Sequence, residues 1–143
     1  ILKKILFMEL ILNYSFSSFA LLCIYIFFII LFLQSGLDKI FNWNTELNWI
    51  KDHFSKTIFK NQVPVLLFTL TLLEITTAII CSLSLVHLIT PIHEYLPFWG
   101  LFFSSCTLLS LFFGQRLAKD YQGAISIAIY FIINLIGLLI LSF

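Results

Sequence analysis

The chain has 143 residues, of which 61% are hydrophobic, 17% aromatic and only 10% charged. Soluble proteins carry about 25% charged residues, so the composition excludes an ordinary soluble domain and indicates a polytopic membrane protein. The formal net charge is +1, and no basic cluster is dense enough to argue for a nucleic-acid partner, so none is expected.

The chain opens with a short amphipathic stretch, residues 1–15, which contains Lys3, Lys4 and Glu9. We interpret it as an interfacial stub or as the first turns of a long tilted helix. Because the chain starts with Ile1 rather than Met, we suspect that residues are missing upstream or that the start codon is unusual. No A-x-A-like cleavage site follows, so a cleavable signal peptide is not expected. The first span is predicted over residues 16–37.

The connection that follows contains a second amphipathic segment, predicted as a helix over residues 43–60. Its apolar residues recur at spacings of about four, which places them on one helical face: Trp43, Leu47, Ile50, Phe54 and Ile58. Tryptophan collects at the headgroup level of membranes, and Trp43 begins this segment. We therefore expect the helix to lie flat on the membrane, as an anchor or, alternatively, as a lid over a substrate.

Three further spans are predicted over residues 63–89, 96–114 and 123–143, and the second of them tolerates Pro64 in its first turn. Each is long enough for a hydrocarbon core about 30 Å thick, which needs roughly 20 apolar residues. No internal repeat and no low-complexity linker is evident. The expected architecture is all-α: a single membrane domain, residues 1–143, forming an up-down bundle of four transmembrane helices with an interfacial amphipathic helix between spans one and two.

The distribution of basic residues predicts the orientation of the bundle. The first and third connections hold six Lys or Arg residues, against two in the opposite parts of the chain. Under the positive-inside rule this places both basic connections in the cytoplasm and both termini outside.

Glu74 lies near the middle of the second span and is the residue around which we expect the helices to pack. A charge at that depth is costly by at least ~2.5 kcal/mol and normally has a partner. Counting 1.5 Å per residue from the same membrane face puts Tyr25, Ser105 and Asn134 in one midplane cluster with Glu74. Two explanations stay open: Glu74 locks helices together through Asn134 or Tyr25, or it carries a proton or binds a quinone. Arg116 starts too near the surface for a direct pair.

Other sites of chemistry find little support in the sequence. The three cysteines are Cys23, Cys81 and Cys106, all inside apolar runs and never as C-x-x-C. They are interpreted as small buried hydrophobes rather than as a dithiol or zinc site. His87 has no histidine at matching depth on another span, which disfavours haem. No catalytic residue and no metal ligand is predicted, and a quinone is the one cofactor left open.

Several short motifs resemble the DoxX family of small four-span bacterial membrane proteins, Bacteroidetes-type members in particular. The first span closes on a small-Gly-x-x-Lys signature in FLQSGLDKIFNW, and the second has a Pro near its start and an L-E-x-x-x-A setting. The last connection, GQRLAKDYQGA, is also similar. The residues that carry the resemblance are Ser35, Gly36, Lys39, Pro64, Leu73, Glu74, Ala78, Gly114, Arg116, Lys119, Asp120 and Gly123.

The resemblance implies a four-helix bundle in the bacterial cytoplasmic (inner) membrane and an association with redox systems. The Arg that members often carry near the start of the first span is absent, since that region reads YSFSSFALL. The related MauE-type proteins, linked to disulfide chemistry, fit less well without paired cysteines. We therefore expect a non-catalytic accessory or structural subunit of a larger respiratory or redox complex, with other membrane subunits as partners. The alternatives are a quinone-reactive oxidoreductase subunit, in which Glu74 exchanges the proton, and a small-molecule transporter.

Overall fold

The computed structural model describes residues 16–142, and every regular element among them is helical. The five helices are α1 (Phe16–Phe41), α2 (Trp43–His53), α3 (Val63–Ile89), α4 (Leu96–Leu117) and α5 (Tyr121–Ser142). The predicted stub, residues 1–15, and Phe143 lie outside the described residues.

Four of these helices, α1, α3, α4 and α5, are long and apolar enough to cross a membrane, and α2 lies between the first two. Each spanning helix packs on the next one in the chain, and a smaller contact between α1 and α5 closes the bundle. Large apolar side chains point outward, for example Phe19, Ile79, Phe113 and Ile129. An apolar outer surface is what lipid requires of a spanning bundle, so the predicted fold class is confirmed: an all-α, four-span membrane bundle with an amphipathic helix between spans one and two.

The bounds of α2 correct the prediction, which extended this helix to residue 60, whereas α2 ends at His53. Residues beyond it form turns in which side chains compete with the helical ladder. The Ser55 hydroxyl donates to the Asp52 carbonyl (2.7 Å) and the Thr57 hydroxyl to the Phe54 carbonyl (2.9 Å). Such local hydrogen bonds offer the backbone an alternative to the helix. Apolar spacing alone could not reveal this competition.

The first span is longer than predicted, because α1 continues past residue 37 to Phe41. The spans α4 and α5 likewise extend to Leu117 and start at Tyr121, beyond the predicted limits of 114 and 123. The extra turn of α1 contains Lys39, which the sequence had placed in the connection. Because α1 includes this turn, the Lys39 side chain can reach Glu74 on the neighbouring helix.

The helix α1 is also displaced along the bundle relative to α3. Gly36 of α1 lies beside Glu74 and Ile75 of α3. Gly36 is five residues from the end of α1, and Glu74 is eleven residues from the start of α3. At 1.5 Å per residue, α3 therefore extends about 9 Å beyond the end of α1. The amphipathic helix α2 contacts both α1 and α3 and covers the space beneath the end of α1.

Candidate functional site

The most distinctive site in the described residues is a buried cluster of Ser35, Lys39 and Glu74. The Lys39 ammonium lies 2.9 Å from Oε2 of Glu74 and donates to its Oε1 at 3.1 Å. The ammonium also donates to the Ser35 hydroxyl (2.7 Å) and carbonyl (3.3 Å), and that hydroxyl donates to Oε1 of Glu74 (2.9 Å). Three polar groups from two helices thus form one closed cluster.

The local sequence explains how α1 builds its half of this cluster. Ser35 and Lys39 are four residues apart and therefore lie on the same helical face. Gly36 lets that face approach α3 closely, because a Cβ atom at Gly36 would lie only 2.6 Å from Cδ1 of Ile75. Small residues serve this purpose at membrane helix interfaces generally. The glycine thus brings the backbones near enough for the Lys39 side chain to reach Glu74.

The burial of the cluster makes its internal pairing essential. The Glu74 side chain is 0% exposed and that of Lys39 is 11% exposed. Removing one partner of a buried ion pair costs about 3–5 kcal/mol, because the remaining charge has no compensation. The two charges together are neutral, so the pair is stable in an apolar surrounding that neither could occupy alone.

The Lys39 ammonium lies among four acceptor atoms. It has three N–H bonds and lies within 3.3 Å of the Ser35 hydroxyl, the Ser35 carbonyl and both carboxylate oxygens of Glu74. Oε2 of Glu74, 2.9 Å from the ammonium, receives no hydrogen bond from any other described group. The ion pair and the Ser35 hydrogen bonds therefore hold the cluster together.

The structure separates the predicted midplane cluster into different places. Glu74 bonds to Ser35 and Lys39, not to Tyr25 or Asn134. The Tyr25 hydroxyl donates to the Pro97 carbonyl (2.6 Å), near the start of α4. The Ser-Gly-x-x-Lys spacing was the sequence signal for the true partners of Glu74. It would have identified them if the first span had been predicted to extend through Lys39.

Asn134 and Ser105 do come together, as the depth count predicted, but away from Glu74. The Asn134 amide donates to the Ser105 hydroxyl (2.6 Å) and to the Leu101 carbonyl (3.2 Å), which ties α5 to α4. Its Oδ1 is buried without a hydrogen-bond partner among the described residues. This contact joins two helices within the membrane, as polar side chains in such helices commonly do.

Further polar contacts join α3 to α4 between the level of Glu74 and the other end of the bundle. The hydroxyls of Thr77 and Thr107 lie 2.7 Å apart, and the Ser84 hydroxyl donates to the Leu96 carbonyl at 2.7 Å. Cys81, predicted as a small buried hydrophobe, is buried with its Sγ 3.4 Å from the Ser104 hydroxyl. These contacts fix the register of α3 against α4.

A cavity of about 290 Å³ lies next to the Lys39–Glu74 pair and is lined by all five helices. Besides Lys39 and Glu74, its wall includes Trp49 and His53 of α2 and Tyr130 of α5. We call it the head cavity. Since α2 forms one wall, the amphipathic helix covers this cavity.

A second cavity, of about 310 Å³, lies between α3, α4 and the end of α2, and we call it the tail groove. Apolar side chains such as Phe59, Leu66 and Phe113 dominate its lining. Five residues line both cavities, so the two share a wall: Ile50, Phe54, Leu70, Ser110 and Gly114.

The third connection holds the end of α2 in place. His53 Nε2 lies 3.3 Å from Oε1 of Gln115 and 3.8 Å from Oδ2 of Asp120. Asp120 also accepts from the Gly123 amide (2.9 Å) and so caps the first turn of α5. The Arg116 guanidinium stacks over the Tyr121 ring, 4.7 Å from its centroid.

The residues that carried the family resemblance fall into two groups. Gly36, Lys39 and Glu74 meet in the buried cluster. Arg116 and Asp120 lie at the turn between α4 and α5. Pro64 occupies the first turn of α3, apart from both.

Residues 16–142 contain no group of three or more His, Cys, Asp or Glu side chains arranged to hold a metal ion. Cys23, Cys81 and Cys106 are free thiols. The prediction that all three are buried is wrong for Cys23, which is exposed, and Cys106 is only partly buried. The chain matches no family model, and no curated protein and no solved structure matches it either.

Proposed function

We propose that this protein is a DoxX-like integral membrane subunit with an accessory, non-catalytic role in a larger redox or respiratory assembly of the bacterial inner membrane. The observation that carries the proposal is the buried cluster of Ser35, Lys39 and Glu74. The small-Gly-x-x-Lys and L-E-x-x-x-A motifs, which lie far apart in the chain, supply this one site.

The chemistry of the cluster favours a structural role for the ion pair. The Lys39 ammonium lies within 3.3 Å of four acceptor atoms of Ser35 and Glu74, so its three N–H bonds are occupied inside the cluster. Its position between α1 and α3 ties together two spans that the connection containing α2 separates. A subunit that presents a fixed outer surface to partner helices needs this kind of internal rigidity.

A quinone-reactive subunit is the second candidate, and the head cavity beside Glu74 favours it. In that case Glu74 would exchange the proton, with His53 and Tyr130 in the cavity wall. Tyr25 and Asn134, which the depth count placed beside Glu74, do not line this cavity.

For the orientation, we propose that the end of the bundle that carries α2 faces the cytoplasm. The connections at this end hold Lys51, Lys56, Lys60, Arg116 and Lys119, and positive charge is retained on the cytoplasmic side. Lys39 is no longer counted among the basic residues of the connections, because its side chain is buried in the bundle.

The test of the accessory role is copurification from the native membrane in a mild detergent, followed by mass spectrometry. We expect the same membrane redox subunits to accompany the chain in stoichiometric amounts. A chain that elutes alone at native expression levels would contradict the proposal. For the second candidate, unchanged quinone-dependent turnover of the native assembly carrying Glu74→Gln would remove Glu74 from any proton transfer.

A further inference from the structure

We propose that the tail groove binds an acyl chain of an anionic phospholipid, whose phosphate lies against Lys60 and Arg116 at the membrane surface. The site needs only a bundle that spans a membrane, so it stands or falls independently of the proposed redox role. Three features of the described residues carry it: the apolar lining of the groove, its length and opening along the bundle, and the positive charge at its end.

The lining of the groove matches a hydrocarbon chain. Of the twelve lining residues, only Thr69 and Ser110 are polar. The Thr69 hydroxyl donates to the Val65 carbonyl at 2.9 Å, and the Ser110 hydroxyl donates to the Cys106 carbonyl at 2.8 Å, each within its own helix. The lining therefore offers a ligand no free hydroxyl donor, and apolar contact is the interaction that remains.

The groove extends along the bundle for about the depth of one leaflet. It runs from Phe59, in the turn before α3, to Leu73. Leu73 lies ten residues past Val63, the start of α3, which is about 15 Å at 1.5 Å per residue. Half of a hydrocarbon core about 30 Å thick is also about 15 Å. An acyl chain has this length and depth, whereas a compact ligand would use only part of the groove.

The groove is open towards lipid. Leu66, Thr69 and Phe113 line it and are exposed on the outer surface of the bundle. In a membrane that surface is covered by lipid, so acyl chains reach the groove without crossing the protein. A volume of about 310 Å³ is at the lower end of ligand pockets, so the groove takes one chain and not a whole lipid.

Two unpaired basic residues lie at the membrane-surface end of the groove. The rings of Phe59 and Phe113, which both line it, have centroids 6.5 Å apart, so the turn that carries Lys60 lies beside the end of α4 that carries Arg116. Both basic residues are exposed, and neither pairs with a carboxylate among residues 16–142. The Arg116 guanidinium stacks on Tyr121 through its face, which leaves its N–H edge for a phosphate.

The charge around this end of the groove favours an anionic head group. Residues 51–60 and 115–120 contain five basic and two acidic residues, a net charge of +3 with His53 neutral. Of the two acids, Asp120 caps α5 and Asp52 lies in α2. Glu46 is half-buried in the wall of the head cavity and does not line the groove. Lys and Arg at a membrane surface attract anionic lipids. The opposite connection, residues 90–95, contains one acid and no Lys or Arg.

The test reads lipid binding from the quenching of tryptophan by brominated phospholipids, with the full chain reconstituted in vesicles. Trp43, Trp49 and Trp99 are replaced by Phe, and Phe113→Trp places one reporter in the groove. Phe68→Trp is the matched control, because Phe68 is exposed near the start of α3 and does not line the groove. Mixtures of phosphatidylglycerol and phosphatidylcholine, with either lipid brominated, give the relative binding constant at each reporter.

We expect phosphatidylglycerol to be favoured over phosphatidylcholine at least about fivefold at Phe113→Trp, which corresponds to about 1 kcal/mol, and less than about twofold at Phe68→Trp. Lys60→Gln/Arg116→Gln should reduce the ratio at Phe113→Trp to that of the control. Lys60→Arg/Arg116→Lys retains both charges and should keep the preference. Equal ratios at the two reporters, or a preference that survives the loss of both charges, would overturn the assignment.

A second pair of variants tests whether the acyl chain occupies the groove. Thr69→Phe narrows the groove and should lower the quenching of the Phe113→Trp reporter by both brominated lipids. Leu72→Phe, at an exposed position of the same helix outside the groove, should leave it unchanged. Quenching that Thr69→Phe does not lower would also refute the site. The two reporters keep every charge of the chain, so their comparison stands even if one of these variants misfolds.

Discussion

The buried ion pair permits a sharp test, because removing one of its charges should destabilise the bundle while removing both should not. In Lys39→Met, the Glu74 carboxylate stays fully buried without its counter-ion. Breaking a buried pair in this way costs about 3–5 kcal/mol, whereas replacing both partners by apolar residues is often neutral or stabilising by about 1–4 kcal/mol. We therefore expect Lys39→Met/Glu74→Met to be at least as stable as the unmodified protein.

Protonation of Glu74 limits the penalty for burying its uncompensated charge in Lys39→Met. A free carboxyl group takes up its proton at about pH 4.3, so holding it protonated at pH 7 costs about 4 kcal/mol. In Lys39→Met the folded state would then bind one proton more than the unfolded state, and its stability should rise as the pH falls. At pH 5 the same limit is only about 1 kcal/mol.

The measurement is reversible unfolding in mixed micelles by titration with a denaturing detergent, followed by circular dichroism at pH 7 and pH 5. Lys51→Met, at an exposed lysine of α2, is the matched control and should change the free energy of unfolding by less than about 0.5 kcal/mol. If Lys39→Met behaves like this control, or if the double substitution costs the sum of the two single ones, the pair does not stabilise the contact between α1 and α3.

Three further predictions concern helix contacts. Gly36→Val should destabilise the bundle by about 1–3 kcal/mol through overpacking, and Ile75→Ala should rescue it, because the new Cβ would collide with the Ile75 side chain. Asn134→Leu should cost about 0.6–2 kcal/mol, the range for interhelical hydrogen bonds in membranes; the same unfolding assay measures it. Asp120→Ala should cost about 1 kcal/mol by removing the cap of α5, and amide exchange should rise in the first turn of α5.

Each of these expectations has a distinct contrary result. A Gly36→Val variant that Ile75→Ala fails to rescue would place the strain elsewhere than between α1 and α3. An Asn134→Leu variant at least as stable as the unmodified protein would show that its hydrogen bonds to α4 contribute nothing. If amide exchange in the first turn of α5 did not change after Asp120→Ala, packing rather than the Asp120 cap would stabilise the start of this helix.

The spans and their number were predictable from the sequence because the apolar runs are long and their interruptions are clear. The helix α3, Val63–Ile89, has the predicted bounds, since Pro64 marks its start and the turn before Pro91 marks its end. Helix bounds that depend on competition between side-chain and backbone hydrogen bonds were harder to predict from the sequence. The serine and threonine hydrogen bonds that end α2 early are invisible in a periodic apolar pattern.

The partner of Glu74 was missed for a geometric reason. The depth count assumed that all spans begin and end at the same two planes, and it assigned Lys39 to the connection. In the structure α1 runs on to Phe41 and is displaced along α3, so Gly36 lies level with Glu74. A displacement of this kind arises from side-chain packing between helices, which spacing within one helix does not encode. Asn134 and Ser105 were paired correctly because α4 and α5 are joined by a short turn.

The ion pair also has a consequence for the biogenesis of the protein. Its two charges enter the membrane on successive spans, and α3 carries Glu74 near its middle before any counter-ion is beside it. We expect α3 to insert poorly by itself and efficiently when α1 is still held near the insertion machinery, which glycosylation mapping of α3 alone and of residues 1–89 would compare. Assembly of α1 with α3 would then be coupled to synthesis and precede the arrival of α4 and α5.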